Sequence, residues 1–339
     1  MVGEPLVGKI LWVCLLAGYG LACAEQLDSS SHTISNVNFR PDSDPSPAAL
    51  TDGAMPALQR TPELWTGLKL EQELPVPALL KTGPAPRLSS AIALIYDKQT
   101  QRPLYTKNAN ARASIASITK LMTAMVVLDA MQPLNEQISI EDADIDRLKR
   151  TPSRLAVGMT FTRNEMLSMA LMASENRAAS ALARNYPGGM AAALAAMNAK
   201  AIELGMHNTL FLDPAGLNSN NVSTAQDLVK MVTAARSYAL IHQYTTAPSD
   251  SVEGMGGRAL RFNNTNPLVR NVGWNIGISK TGFINEAGRC LVMEVEINQR
   301  SVIIVLLNSW GRQTRTGDAN RIKRWMESAQ TRSHVPRRS

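Results

Sequence analysis

The 339-residue sequence predicts an α+β fold, one antiparallel five-stranded sheet with flanking helices and an all-helical lobe beside it. Three observations predict it: two strand-like runs open the patterned region, an Ala-, Met- and Leu-rich middle reads as helix, and three further strand-like runs with one helix close it. Compact structure is expected to begin near Ser90, where residues 91–96 and 103–105 flank the turn Asp97-Lys98-Gln99-Thr100 as a hairpin. Residues 114–131 are apolar nearly all round, which suits a helix at the domain centre. Helices follow at 163–185, 189–204 and 224–235. The runs 274–282, 291–298 and 302–307 are separated by Asn285-Glu286-Ala287-Gly288 and Asn298-Gln299-Arg300, so they read as a meander. A helix capped by Asp318 and passing through Ile322 and Trp325 to about Ala329 ends the pattern. Distant parts of the chain must then complete one sheet.

What precedes this region has a different composition. Lys9 stands before the apolar run 10–17, and Ala22-Cys23-Ala24 offers small residues to a signal peptidase, so 1–24 reads as a signal peptide of an exported, periplasmic protein. The run is shorter than the roughly 20 residues of a membrane span. Gly20-Leu21-Ala22 before Cys23 is a poor lipobox. Residues 25–87 hold nine of the 18 prolines and read as a Pro/Ser-rich, largely disordered tether, in which 64–70 around Trp65 is the stretch able to dock. Loss of the leader takes Cys14 and Cys23 and leaves Cys290 alone, which excludes an internal disulfide and suggests a buried small hydrophobe on a strand. His32, His207, His242 and His334 show no ligand spacing, so neither a metal nor another cofactor is expected. The 35 Lys+Arg against 28 Asp+Glu, with a basic tail at 331–339, suit a polyanionic wall or a peripheral membrane contact; export argues against nucleic acid.

Three short motifs carry chemistry. Ser117-Ile118-Thr119-Lys120 puts a hydroxyl and an amine three apart, on one helical face. The amine can take the hydroxyl's proton if burial among Ile115, Ile118, Leu121 and Met122 lowers its pKa. Ser174-Glu175-Asn176 places a second hydroxyl and an amide in apolar surroundings, where they need partners. Ser219-Asn220-Asn221 has the same form but reads as a turn before a helix. Lys280-Thr281-Gly282 ends a strand whose glycine admits another backbone, so a substrate can add to the sheet edge. Lys81-Thr82-Gly83 precedes the nucleophile, sits in the tether and is followed by Pro84, which has no N–H.

The order S-x-x-K, S-x-N, K-T-G is far more specific than any one element, and it is similar to that of penicillin-binding proteins and class A β-lactamases. Residues 116–130 (ASITKLMTAMVVLDA), 170–178 (ALMASENRA), Tyr186-Pro187-Gly188-Gly189, 196–200 and 280–293 (KTGFINEAGRCLVM) more closely resemble the D-alanyl-D-alanine endopeptidases of the penicillin-binding protein seven type, over about 88–330. The resemblance implies a β-lactamase/transpeptidase-like fold and a serine peptidase acting on peptidoglycan. It implies that Ser117 attacks the D-alanyl carbonyl, Lys120 takes its proton, and Ser174 relays a proton to the leaving amine. Lys280 would keep the site positive and depress Lys120, Asn176 would hold the substrate amide, and Thr281 its D-centre or carboxylate, with Gly282 among the substrate-binding residues. The N–H groups of Ser117 and Phe283 would form an oxyanion hole. β-Lactams would then act as covalent inhibitors, and other wall enzymes as partners.

Neighbouring activities share this chemistry. A class A β-lactamase needs a deacylating carboxylate in an E-x-x-L-N loop; residues 207–214 lack that pattern, although Glu203 and Asp213 lie close by in sequence. A D-alanyl-D-alanine carboxypeptidase is the serious rival, but the 57 residues after Gly282 suffice only for two strands and a helix, not for the β-rich second domain many of them carry. A non-catalytic wall-binding protein would need a complete set of catalytic side chains by coincidence.

Overall fold

The computed structural model describes residues 84–333. The signal peptide, nearly all of the tether with Trp65 and Lys81, and the last residues of the basic tail lie outside the described residues. The chain enters through β1 (Ile92–Asp97) and β2 (Arg102–Lys107), a hairpin whose turn is held by the Asp97 carboxylate accepting the N–H of Gln99 at 2.9 Å. The expected helix at 114–131 begins later. Ala113–Ser114 form a short strand, β3; Ala116 adopts φ 48°, which no α-helix tolerates, and a 3-10 turn (Ala116–Thr119) leads into α1 (Lys120–Asp129). Two short strands, β4 (Gln137–Ser139) and β5 (Thr160–Thr162), then pair.

The expected helix at 163–185 is two helices. Thr162 and Glu165 form a capping box that starts α2 (Arg163–Met172); Ser174, at φ 63°, breaks the run, and α3 (Asn176–Arg184) begins afresh. After α4 (Gly189–Glu203) and β6 (Val222–Ser223), which pairs with β3, Thr224 caps α5 (Ala225–Ala235). The short α6 (Ala239–Thr246) and the hairpin of β7 (Ser249–Glu253) and β8 (Ala259–Asn263) complete the middle. The lobe is therefore not all-helical. Its strands are short and polar, with four of the five β7 residues exposed, so they carry no apolar alternation to betray them.

The meander appears as β9 (Asn275–Ile284), β10 (Gly288–Ile297) and β11 (Arg300–Ser309), followed by α7 (Thr314–Ser333). The five-stranded sheet has the order β2-β1-β11-β10-β9, antiparallel throughout; β1 pairs with β11 from Ile92↔Leu307 to Asp97↔Val302, which joins the first strand of the described residues to the last. Alternate residues of β11 serve two cores: Ile303, Val305 and Leu307 face the cluster that holds α5 and α1, and Val302, Ile304 and Leu306 face Ile322 and Trp325 of α7. Burial on both faces explains why the strands read as continuous apolar runs. Cys290 is free and fully buried on β10, and burial pushes its thiol up to about 11. Among the described residues no helix is long and apolar enough to cross a membrane.

Asp318 does not cap α7; it lies inside it. Its buried carboxylate accepts the N–H of Ser89 (3.1 Å) and Ser90 (2.7 Å), the Ser90 hydroxyl (2.5 Å) and Arg321, pinning the entry of β1 to the helix. Burial would raise its pKa, but these donors outweigh it and hold the group below the ordinary carboxylate value. Its contribution is thus complete above the unfolded value near pH ~4 and is lost as pH falls through the lower folded value. Asp318→Ala leaves the buried Ser90 N–H without its acceptor, while the Ser90 hydroxyl can still turn to Ser309 at 2.8 Å, and should cost about 2 kcal/mol in urea unfolding at neutral pH.

Candidate active site

Ser117 and Lys120 occupy the 3-10 turn and the first residue of α1, where positions three apart eclipse; the Lys120 Nζ lies 2.9 Å from the Ser117 Oγ. The turn is clamped from two sides. A Cβ on Gly282 would stand 2.8 Å from the Ile115 carbonyl oxygen and 3.1 Å from the Ser117 nitrogen, and one on Gly216 only 1.9 Å from the Ala116 oxygen. The close approach at Gly282 is the one expected of the strand glycine. Gly216, at φ 78°, carried no such signal.

The Lys120 side chain is 1% exposed. Its Nζ lies 2.7 Å from the Asn176 Oδ1 and 2.7 Å from the Ala215 carbonyl oxygen, besides the Ser117 hydroxyl. Asn176 and Ala215 present only acceptors, so a neutral amine spends its two hydrogens on them and points its lone pair at Ser117. Burial lowers its pKa to about 7, with Asp213, Glu175 and Asp146 pulling the other way. That is the condition the sequence demanded of a lysine base.

Ser174 projects from the break between α2 and α3, and the Lys280 Nζ donates to its Oγ at 2.9 Å. Lys280 pairs with Val292 in the sheet and therefore faces the α1 side. Burial, then the charges of Lys120 and Arg315, push its amine well below the ordinary lysine value. For Lys120, as for Lys280, burial is the first cause of the lowering. Asn176 donates through Nδ2 to the Thr151 Oγ1 at 2.8 Å and keeps one amide hydrogen without a partner among the described residues. The Thr281 hydroxyl meets Thr265 at 2.7 Å, and Phe283, half exposed, lies under the Arg289 guanidinium at 4.6 Å. Ser117, Lys120, Ser174, Asn176, Lys280, Thr281 and Gly282 thus converge, on β9 at the open edge of the sheet.

Sequence reasoning missed the braces. The Asp213 carboxylate accepts the N–H of Ala215 (2.7 Å), Gly216 (2.6 Å) and Asn218 (2.7 Å), which presents the Ala215 carbonyl to Lys120. Asn221, read as part of a turn, is buried and donates to the Thr119 Oγ1 (3.1 Å) and the Asp213 carbonyl (2.8 Å). Arg315 donates to the Gly282 carbonyl at 2.9 Å, and burial lowers its pKa to about 10. Among the described residues no three His, Cys, Asp or Glu side chains cluster to hold a metal.

A family model described as D-alanyl-D-alanine carboxypeptidase, peptidase S11, matches residues 80–311. The chain is 45% identical over 275 residues to the D-alanyl-D-alanine endopeptidase of Pseudomonas aeruginosa, covering 81% of this chain and 84% of the relative. It is 44% identical over 252 residues to the D-alanyl-D-alanine endopeptidase of Escherichia coli, covering 74% and 81%. The DD-transpeptidase of Streptomyces K15 superposes with a TM-score of 0.67 at 28% identity, covering 74% of this chain and all of that one. With its site built around a Ser-Lys pair and the match spanning well over half its length, the chain belongs to the D-alanyl-D-alanine carboxypeptidase family of serine peptidases, peptidase S11.

Proposed function

We propose that the protein is a serine DD-endopeptidase of the periplasm, exported by its leader, which hydrolyses D-alanyl cross-links of peptidoglycan. The observation that carries the chemistry is the Ser117 hydroxyl 2.9 Å from a buried amine whose pKa is about 7. In this reading Lys120 removes the Ser117 proton as Oγ attacks the D-alanyl carbonyl carbon. The N–H groups of Ser117 and Phe283 receive the oxyanion, an interaction worth on the order of 10²–10³ in rate per donor. Ser174 gives its proton to the leaving amine as the C–N bond breaks and takes in its place the proton that Lys120 drew from Ser117, which returns Lys120 to the neutral base; Lys280, partner of Ser174 at 2.9 Å, holds the Ser174 hydroxyl. Asn176 offers its remaining N–H to the substrate amide, and the strand edge at Thr281 and Gly282 aligns the D-centre. Water then attacks the ester; Lys120 accepts the water's proton and the Ser117 oxygen is reprotonated.

Likeness to the two endopeptidases favours a cross-link over a terminal D-Ala as the bond cut, with carboxypeptidase as the second reading. The two acids near the sequence position of a lactamase's deacylating carboxylate do not fit that role: Glu203 is exposed at the end of α4, and the Asp213 oxygens are taken by backbone N–H groups. β-Lactams are the expected covalent inhibitors. The test is digestion of purified muropeptides followed by mass analysis, at equal concentrations of cross-linked dimer and monomeric pentapeptide. Monomers released from dimers at the higher rate are the expected result; a clear preference for pentapeptide would make the enzyme a carboxypeptidase.

A further inference from the structure

A proton donor fixes where a leaving chain must go. If Ser174 protonates the leaving amine, whatever is attached to that amine departs through the space Ser174 faces. Two cavities flank the site. One, of about 390 Å³, lies between the 143–148 and 212–218 segments and does not have Ser174 on its wall. The other, of about 420 Å³, is bounded by Ser174, Glu175, Arg154, Phe262 and Thr265, under the β7–β8 hairpin. Asn176 borders both. Thr265 joins the second cavity to the substrate-aligning strand through its 2.7 Å contact with Thr281.

We propose that this second cavity receives the leaving strand of the cross-link and that Arg154 on its wall pairs with a carboxylate of that strand. The inference rests on the endopeptidase reading and deepens it. The Arg154 guanidinium stacks 4.7 Å from the centre of the buried Phe262 ring and donates to the Arg261 carbonyl, so it is held in place without a carboxylate partner among the described residues. The only acid of the cavity wall is already engaged. Glu175 accepts from the Ser153 hydroxyl at 2.9 Å and from the Arg154 N–H at 3.3 Å, which ties the backbone of the 152–154 segment to the turn that carries Ser174. Arg258 and Arg261, exposed on the hairpin above, also have no ion pair among the described residues, and with Asp250 and Glu253 of β7 they leave that hairpin without a net charge of its own, so Arg154 is the cation of the cavity wall. An anionic occupant is what this wall attracts.

The chemistry of the two candidate leaving groups differs where Arg154 stands. A terminal alanine occupies a small part of such a cavity, whereas the diamino acid of a cross-link continues into a peptide with further free carboxylates. Arg154 is therefore a specificity-determining residue for cross-links, and its contact adds to the transition state for that substrate alone.

The test compares wild type, Arg154→Ala and Arg154→Lys on cross-linked dimer, monomeric pentapeptide and benzylpenicillin. Arg154→Ala should lower kcat/KM for the dimer about tenfold, the loss of one charge-assisted pair, and leave the pentapeptide and penicillin rates within about twofold. Arg154→Lys should recover part of the loss. A dimer whose leaving-strand carboxylates are amidated should be cut more slowly by wild type and no more slowly still by Arg154→Ala. Equal losses on all three substrates would assign Arg154 to holding the Glu175 turn and overturn the proposal, as would an unchanged dimer rate. A wild-type preference for pentapeptide would instead overturn the endopeptidase reading itself.

Discussion

Replacing Lys120 by arginine is expected to slow acylation of Ser117 by about 10²- to 10⁴-fold, the range over which a positioned general base acts. The substitution keeps a positive charge and hydrogen-bond donors, so it separates charge from basicity. Arginine cannot release a proton near neutrality, and its planar fork does not match three oxygens converging on one nitrogen. The pH profile carries the same information. Because the Lys120 amine is active only when neutral and has its pKa lowered to about 7, wild-type acylation should rise about tenfold per pH unit below 7 and level off above it. Stopped-flow acylation by a chromogenic β-lactam measures both. A Lys120→Arg enzyme that acylates near the wild-type rate, with the same inflection, would require a different base.

The parts legible in the sequence were those whose cause is local or periodic. The meander was visible because β10 and β11 are long and largely apolar on both faces, and turn residues separate them from each other and from β9. Ser117 and Lys120 were visible because their contact is set by a spacing of three along one turn. What stayed hidden depends on contacts distant in sequence. The break at Ser174 rests on a positive φ in a non-glycine residue, which composition does not announce, and without it the Ser174 hydroxyl would not meet Lys280. Asp213, Asn221, Thr151 and Arg315 are ordinary loop or helix residues until the fold sets them against the Ser117–Lys120 turn, Asn176 or Gly282. Asp318 looked like a cap because Asp often caps helices, but it takes its partners from Ser89 and Ser90, at the far end of the domain sequence.

Removal of the nucleophile should have the largest effect of all. Ser117 is half-buried and among the described residues its hydroxyl meets only Lys120, so Ser117→Ala keeps the Asn176 and Ala215 contacts of the amine and the Lys280 contact of Ser174. The fold should persist while turnover of cross-linked dimers falls by at least about 10⁴-fold, as when a serine nucleophile is removed from a triad that acts as a unit. Ser174 does not substitute for it, since its hydroxyl is held by the other lysine, on β9. The same variant controls the most direct measurement, mass analysis of the benzylpenicillin-treated protein and of its peptides. A stable penicilloyl adduct on the peptide containing Ser117, absent from Ser117→Ala, is the predicted result; rapid catalytic hydrolysis of penicillin with no lasting adduct, or an adduct on another residue, would contradict it.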